Sequence, residues 1–253
     1  MTVYYNEIDP YAAQWLRNLI AAGHLAKGEV DERSITEIQP DDLLGFNQCH
    51  FFAGIGVWGY VLRQAGWADD RPVWTGSCPC QPFSAAGKQE GFADERHLWP
   101  TWFNLISQCR PAIVLGEQVA GALEWLDLVS VDMENEDYAF GAADLCAAGF
   151  GGAHIRQRLY FTGVANTLSS RRQRASGSSG AQEQRIAKRS MPSNWENADW
   201  LFCNDGTQRP VEPGTFPLVD AAPSRVGRLR AYGNALDAET ATQFVAAVMD
   251  CAP

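Results

Sequence analysis

The chain has 253 residues, 46% of them hydrophobic and nine of them tryptophan, enough for one sizeable core and at most a small second lobe. A formal net charge of −10 excludes a uniformly basic surface, though not a local one. No apolar run approaches the ~20 residues of a membrane span. The opening MTVYYNEIDPYAAQW lacks the basic-then-apolar pattern of a secretory signal, so a soluble protein is expected.

In chain order, residues 10–24 carry apolar positions at helical spacing and predict a helix. CHFFAGIG (49–56) followed by VWGYVLRQAGW (57–67) reads as strand, glycine turn and helix. RPVWTGSCPC (71–80) reads as a short strand ending in a loop. HLWPTWFNLISQC (97–109) predicts a helix, PAIVLGEQV (111–119) a buried strand, LEWLDLVSVDMEN (123–135) a helix and RLYFTGVA (158–165) a strand. Residues 168–194 are rich in Ser, Gly, Arg and Gln and have no apolar period. Residues 195–222 resume with Trp195, Trp200 and several prolines, which fits a small strand-containing lobe, and 236–250 closes with a helix. Alternating strands and helices predict an α/β fold with a mostly parallel sheet, in which ligands bind beyond the carboxyl ends of the strands.

The seven cysteines are irregularly spaced and odd in number, which argues against a disulfide framework. Cys78 and Cys80 form C-x-C, and no second Cys/His pair completes a zinc site, so no metal is expected. Charge is unevenly spread. Residues 165–230 hold ten Lys/Arg against six Asp/Glu, while the rest of the chain holds ten against 24. That local excess suits either a nucleic-acid contact or a solvated loop.

Four motifs sit at predicted strand ends. Gly54, Gly56 and Gly59 spell G-x-G-x-x-G, which fits a nicotinamide cofactor, S-adenosylmethionine or tight packing. The nicotinamide reading wants an acid about 20 residues on; Asp69 and Asp70 come too early. Pro79-Cys80-Gln81 follows a strand, and a proline there stiffens the loop that carries the thiol. A cysteine thiolate suits addition to an electron-poor ring, although the loop alone fits a buried structural thiol better. Glu117 closes the next strand, where a carboxyl group can protonate a ring nitrogen or merely cap a helix. Arg156 and Arg158, two residues apart, share one face of an extended segment and suit a phosphate or a base carbonyl.

Taken in order, these motifs resemble one family closely, the DNA cytosine-5 methyltransferases. The family order F-x-G-x-G, P-C-Q, E-N-V, Q-x-R-x-R, a variable recognition segment and G-N-A is similar here to FAGIG (52–56), PCQ (79–81), EQV (117–119), HIRQR (154–158), residues near 165–222 and GNA (233–235). The resemblance implies a Rossmann-like class I methyltransferase domain (1–164 plus 223–253) and a small irregular target-recognition region (165–222).

The family places two cofactor motifs between FAGIG and PCQ, but only about 22 residues separate them here, too few for two further strand–helix units. YYNEIDPYAAQWLRNL and VDERSITEI resemble the missing pieces. The first strand–helix unit is therefore expected to have moved behind the third, with Glu7 at the ribose, and Ser34 and Ile35 at the adenine. Asp31 competes for the Ser34 position. An unrelated helical extension is the alternative, and it would leave Glu7 far from the glycine turn.

The resemblance implies that Cys80 attacks C6 of a cytosine flipped out of the duplex, that Glu117 binds and protonates N3, that Arg156 and Arg158 support the base, and that carbon 5 receives the methyl group of S-adenosylmethionine. It places Phe52, Ala53, Gly54, Gly56, Glu7, Ile8, Ser34, Ile35, Pro79, Leu98, Asn234 and Ala235 at the cofactor. Gln81, Ser84, Arg171, Arg172, Arg174, Arg185, Lys188 and Arg189 are expected to meet double-stranded DNA. Three departures stand out: Gln118 for the usual Asn, His154 for the usual Gln and Val57 for a usual Gly. A monomer in the cytoplasm of a bacterial or phage-infected cell, within a restriction-modification setting, fits this reading. Its rivals are an RNA (tRNA) cytosine-5 methyltransferase, a nicotinamide-dependent oxidoreductase and a catalytically silent DNA-binding module.

Overall fold

The computed structural model describes residues 2–79, 98–152, 154–166, 199–202, 208–211 and 235–251. Seven strands form the main sheet: β1 (Thr2–Asn6), β2 (Gly28–Asp31), β3 (Phe46–Phe51), β4 (Val73–Gly76), β5 (Ile113–Val119), β6 (Tyr138–Cys146) and β7 (Gln157–Ala165). Their spatial order is β2-β1-β3-β4-β5-β7-β6. β2 through β5 run parallel in that order, and β7 is antiparallel to both β5 and β6. The expected mostly parallel α/β sheet is present. The short strands β8 (Asp199–Phe202) and β9 (Gln208–Val211) pair antiparallel.

Five helices accompany the sheet among the described residues: α1 (Pro10–Ala21), α2 (Val57–Gln64), α3 (Trp99–Cys109), α4 (Leu123–Asn135) and α5 (Ala238–Cys251). Each lies within a few residues of its predicted span. α1 starts where Asp9 accepts hydrogen bonds from the Tyr11 and Ala12 amides and Pro10 supplies a first-turn residue with no amide hydrogen to satisfy. Strands β1, β2 and β6 are additional to the predicted elements. β2 and β6 lie at the two sheet edges, where mixed polar and apolar side chains replace the apolar runs that mark a buried strand.

Side-chain alternation along the strands sorts the core into two faces. On one, Val3 and Tyr5 pack with Leu16 of α1, while Ile113, Leu115 and Tyr160 pack with Trp58 and Leu62 of α2 and Phe244 of α5. On the other, Tyr4, Phe51, Trp74, Val114 and Phe161 pack with Trp99 and Trp102 of α3, Trp125 of α4 and the short 3-10 turns at 35–37 and 40–43. Two helical layers thus enclose the sheet, and its carboxyl ends are the open edge where loops converge.

His50 of β3 is fully buried, stacked on Tyr5 and hydrogen-bonded through Nδ1 to Thr75 Oγ1 at 2.7 Å. Burial drives its imidazole down to about 3. The unfolded chain takes up a proton near pH 6.5 that the folded chain refuses. Stability is therefore lost by about 1.4 kcal/mol per pH unit as pH falls from 6.5 towards 3. Urea unfolding at pH 7 and pH 5 tests this. His50→Asn is expected to lose about 2 kcal/mol less than the parent over that interval, and equal losses would contradict it.

Candidate active site

The glycine turn after β3 is built by backbone conformation. Phe52, Gly54 and Gly56 have φ of 51°, 55° and 84°, values that a side chain beyond Cβ tolerates poorly. The glycines differ in purpose. A Cβ on Gly56 would stand 2.6 Å from Leu25 Cδ1, so this glycine lets α2 dock on α1 and the segment after it. A Cβ on Gly54 would meet nothing within 4 Å, so Gly54 leaves open space for a ligand.

Glu7, directly after β1, lies at this turn. Its Oε2 accepts from the Gly54 amide at 2.7 Å and its Oε1 from the Asp9 amide at 2.9 Å, and the Ala53 amide donates to the Asn6 carbonyl. Ile8 beside Glu7 is 64% exposed. β2 ends at Asp31, whose carboxylate is taken up by the Tyr4 hydroxyl and by Arg33. Burial raises the Asp31 carboxyl, but these hydrogen bonds together outweigh it and hold it below its ordinary range. Ser34 caps the 3-10 turn at 35–37 in a reciprocal box with Glu37, and Ile35 is buried in the core.

The second cluster lies where β4, β5 and β7 end or begin. Because β7 is antiparallel to β5, its first residues meet the last residues of β5: Arg158 is opposite Val119, and Tyr160 is opposite Glu117. Glu117 is buried, and its Oε1 forms an ion pair with Arg158 Nε at 3.0 Å. It is also hydrogen-bonded to Ser77, in the loop after β4. Burial pushes the Glu117 carboxyl up, while Arg158, Arg156 and Ser77 pull the other way; the net direction is upward. Arg156 donates from Nη2 to the Ala235 carbonyl at 2.8 Å, and burial lowers its guanidinium. The two arginines therefore share a face, as their spacing predicts.

Two of the three departures in sequence, Gln118 and His154, make local contacts. Gln118 points to the sheet face opposite Glu117, and its Nε2 reaches the Cys78 carbonyl at 3.4 Å, tying β5 to the loop that leads to Pro79. His154 Nε2 lies 3.7 Å from Asp237 Oδ2, and Asp237 in turn accepts from the Thr240 amide at the start of α5. Leu98 packs against the α3 core, and Pro79 is exposed at the end of its loop. Cys80, Gln81, Ser84, Asn234 and the basic residues Arg171, Arg172, Arg174, Arg185, Lys188 and Arg189 lie outside the described residues. Ser77 and Trp58, which donates to it, were not among the predicted site residues.

A buried carboxylate that loses its cation is left uncompensated. Arg158→Leu is expected to cost about 3 kcal/mol in chemical denaturation at pH 7.5, and Glu117→Leu combined with it to recover most of that loss. Additive losses in the double variant would mean that the two side chains are not coupled.

The model of the C-5 cytosine-specific DNA methylase family matches residues 1–201. The Type II methyltransferase M.NgoMIV of Neisseria gonorrhoeae is 32% identical over 110 residues, covering 42% of this chain and 35% of that one. M.HhaI of Haemophilus parahaemolyticus is 31% identical over 106 residues, 40% of this chain and 32% of the relative. The chain thus spans about a third of the length of these curated relatives. Among solved structures, DNMT2 of Spodoptera frugiperda aligns over 67% of this chain and 44% of its own, with a TM-score of 0.47 and 18% identity. Dnmt2 of S. pombe aligns over 64% and 41%, with a TM-score of 0.42 and 19% identity. With the family model matching most of its length, the chain belongs to the C-5 cytosine-specific DNA methylases.

Proposed function

We propose that the protein transfers a methyl group to carbon 5 of cytosine in double-stranded DNA. The observation that carries this reading is the buried Glu117, held by Arg158 and Ser77 at the carboxyl end of β5, beside the loop that runs into Pro79-Cys80. Glu117 is a carboxyl group with its pKa raised by burial, so it can share or give a proton at a ring nitrogen. Protonation at N3 of cytosine draws electrons from C6 and makes that carbon open to a thiolate. Cys80 is the nucleophile in this reading. Its addition leaves carbon 5 electron-rich, and loss of the C5 proton after methylation expels the thiolate. Arg156 and Arg158 offer their guanidinium groups to the flipped base or its phosphate. The basic residues of the recognition region would meet phosphates.

S-adenosylmethionine, when bound, supplies an electrophilic methyl group. The residues present fit it: the open space at Gly54, the Glu7 acceptors at the same turn and the exposed Ile8 beside them suit an amino-acid chain, ribose hydroxyls and a purine face respectively. Phe52, Ala53 and Gly56 shape the turn, and Leu98, Pro79, Asn234 and Ala235 would complete the wall. Ser34 and Asp31 remain the candidates for the adenine edge; Ile35 supports that wall from within the core. The reading includes a rearranged chain order, in which the FAGIG strand follows the two strands that complete the cofactor site. The position of β1 between β2 and β3, with Glu7 on the Gly54 amide, supports it.

The decisive experiment uses a duplex carrying 5-fluorocytosine at target sites. Fluorine cannot leave as a proton, so the parent protein is expected to form a covalent adduct with this duplex, seen as a band resistant to denaturation, and Cys80→Ala to form none. On ordinary duplex, Cys80→Ala is expected to lose methyl transfer altogether while still binding S-adenosylmethionine in a calorimeter. Undiminished transfer by that variant would refute the assignment. Preferential labelling of tRNA in a competition assay would move the substrate to RNA.

A further inference from the structure

Trp58 is the second residue of α2, immediately behind the glycine turn, and is buried. Its indole N–H is a donor only. It donates to Ser77 Oγ at 3.1 Å. Ser77 lies one residue past β4 and is hydrogen-bonded on its other side to Glu117. With the Trp58 hydrogen on its oxygen, the Ser77 hydroxyl keeps its own proton to give, and the Glu117 carboxyl group receives it when ionised. For the ionised carboxylate the chain runs from Trp58 to Ser77 to Glu117. Strand alternation makes this possible. Val73, Thr75 and Ser77 point to the face that carries α2, as do Ile113, Leu115 and Glu117 of β5.

We propose that Ser77, oriented by Trp58, is a positioning residue that fixes the Glu117 side chain beside the end of β4. The proposal rests on Glu117 serving as the acid in the reaction proposed above. The other charged or titratable groups facing Glu117 are Arg156, Arg158 and Tyr160 on the β7 side, and Asp237 ahead of α5 acts on Arg156 and Tyr160. Arg158 supplies charge but approaches from β7 alone. Ser77 supplies the second anchor, from β4, so that the carboxylate is held between two neighbouring strands. It also joins the glycine turn, through α2, to the acid.

The test follows the carboxyl signal of Glu117 by carbon-13 NMR in the full chain, assigned by its disappearance in Glu117→Gln. Ser77→Ala is expected to move the Glu117 titration to higher pH, because a donor to the ionised form is gone. Ser77→Thr, which keeps the hydroxyl, is expected to restore the parent titration. Trp58→Phe, which keeps a ring but no N–H, is expected to shift it in the same direction as Ser77→Ala and by less. In methyl-transfer assays, Ser77→Ala is expected to lower kcat about tenfold with KM for S-adenosylmethionine unchanged. The alkaline limb of its pH profile should move with the NMR titration. A Ser77→Ala protein whose Glu117 titrates as in the parent would overturn the proposal, and so would a Ser77→Thr protein that behaves as Ser77→Ala. The NMR arm needs no catalysis. A parent protein that transfers no methyl group to cytosine, yet shows the shift on Ser77→Ala, would defeat the proposed function and leave the positioning role standing.

Discussion

A carboxylate taken out of water costs several kcal/mol unless charge and hydrogen bonds are supplied in its place. Glu117 imposes that demand near the end of β5, and the reversal of its neighbour β7 answers it. A cation must arrive from a neighbouring strand at the same height. A parallel neighbour would bring its last residues there; the antiparallel β7 brings its first, so the arginines that precede and open the strand lie against the end of β5. The reversal of β7 is therefore more than a topological detail. It places Arg158 against Glu117 and lets Arg156 reach back to Ala235, just ahead of α5.

A second carboxylate organises the other half of the open edge. Glu7 follows the first strand of the chain, yet that strand lies inside the sheet, flanked by β2 and β3. The hydrogen bond from the Gly54 amide then spans 47 residues of sequence while joining neighbours in space. What a parallel sheet requires of a ligand site is that the right strand ends be adjacent. The order in which the chain visits them is free, provided each crossover fits. Here α1 carries the chain from β1 to β2, and two 3-10 turns carry it on to β3.

The strand–helix alternation and the face shared by Arg156 and Arg158 were legible from sequence, because periodicity and spacing carry them directly. So was the placement of Glu7 near the glycine turn, which came from a resemblance in segments of the chain and not from any period. The edge strands β2 and β6 were not legible, since an edge needs no continuous apolar run. The glycine motif left a ligand and tight packing both open; the structure sorts its members, since the space around Gly56 and Gly59 is filled by Leu25, with Leu16 also against Gly56, while of the three only Gly54 opens outward. Ser77 and Trp58 are 19 residues apart and carry no motif spacing. Their contact exists because β3 and β4 are neighbours and α2 folds back across them, which is information held by the assembled sheet.

The loop after β4 shows what this assembly achieves. Successive residues of an extended chain point to opposite faces, and here each face holds one of them. Ser77 is bound on the α2 side by Trp58 and Glu117. The backbone of Cys78 is bound on the α3 side by Gln118, the residue next to Glu117 on the same strand. One strand end thus grips the loop from both sides with consecutive side chains. An Asn at 118 would be shorter by one methylene and would have to sit closer to make the same contact. Rotational freedom is the main thing a reactive side chain must lose before it can meet a substrate at a fixed angle. Here the chain is held at 77 and 78, and the ring of Pro79 fixes its own φ.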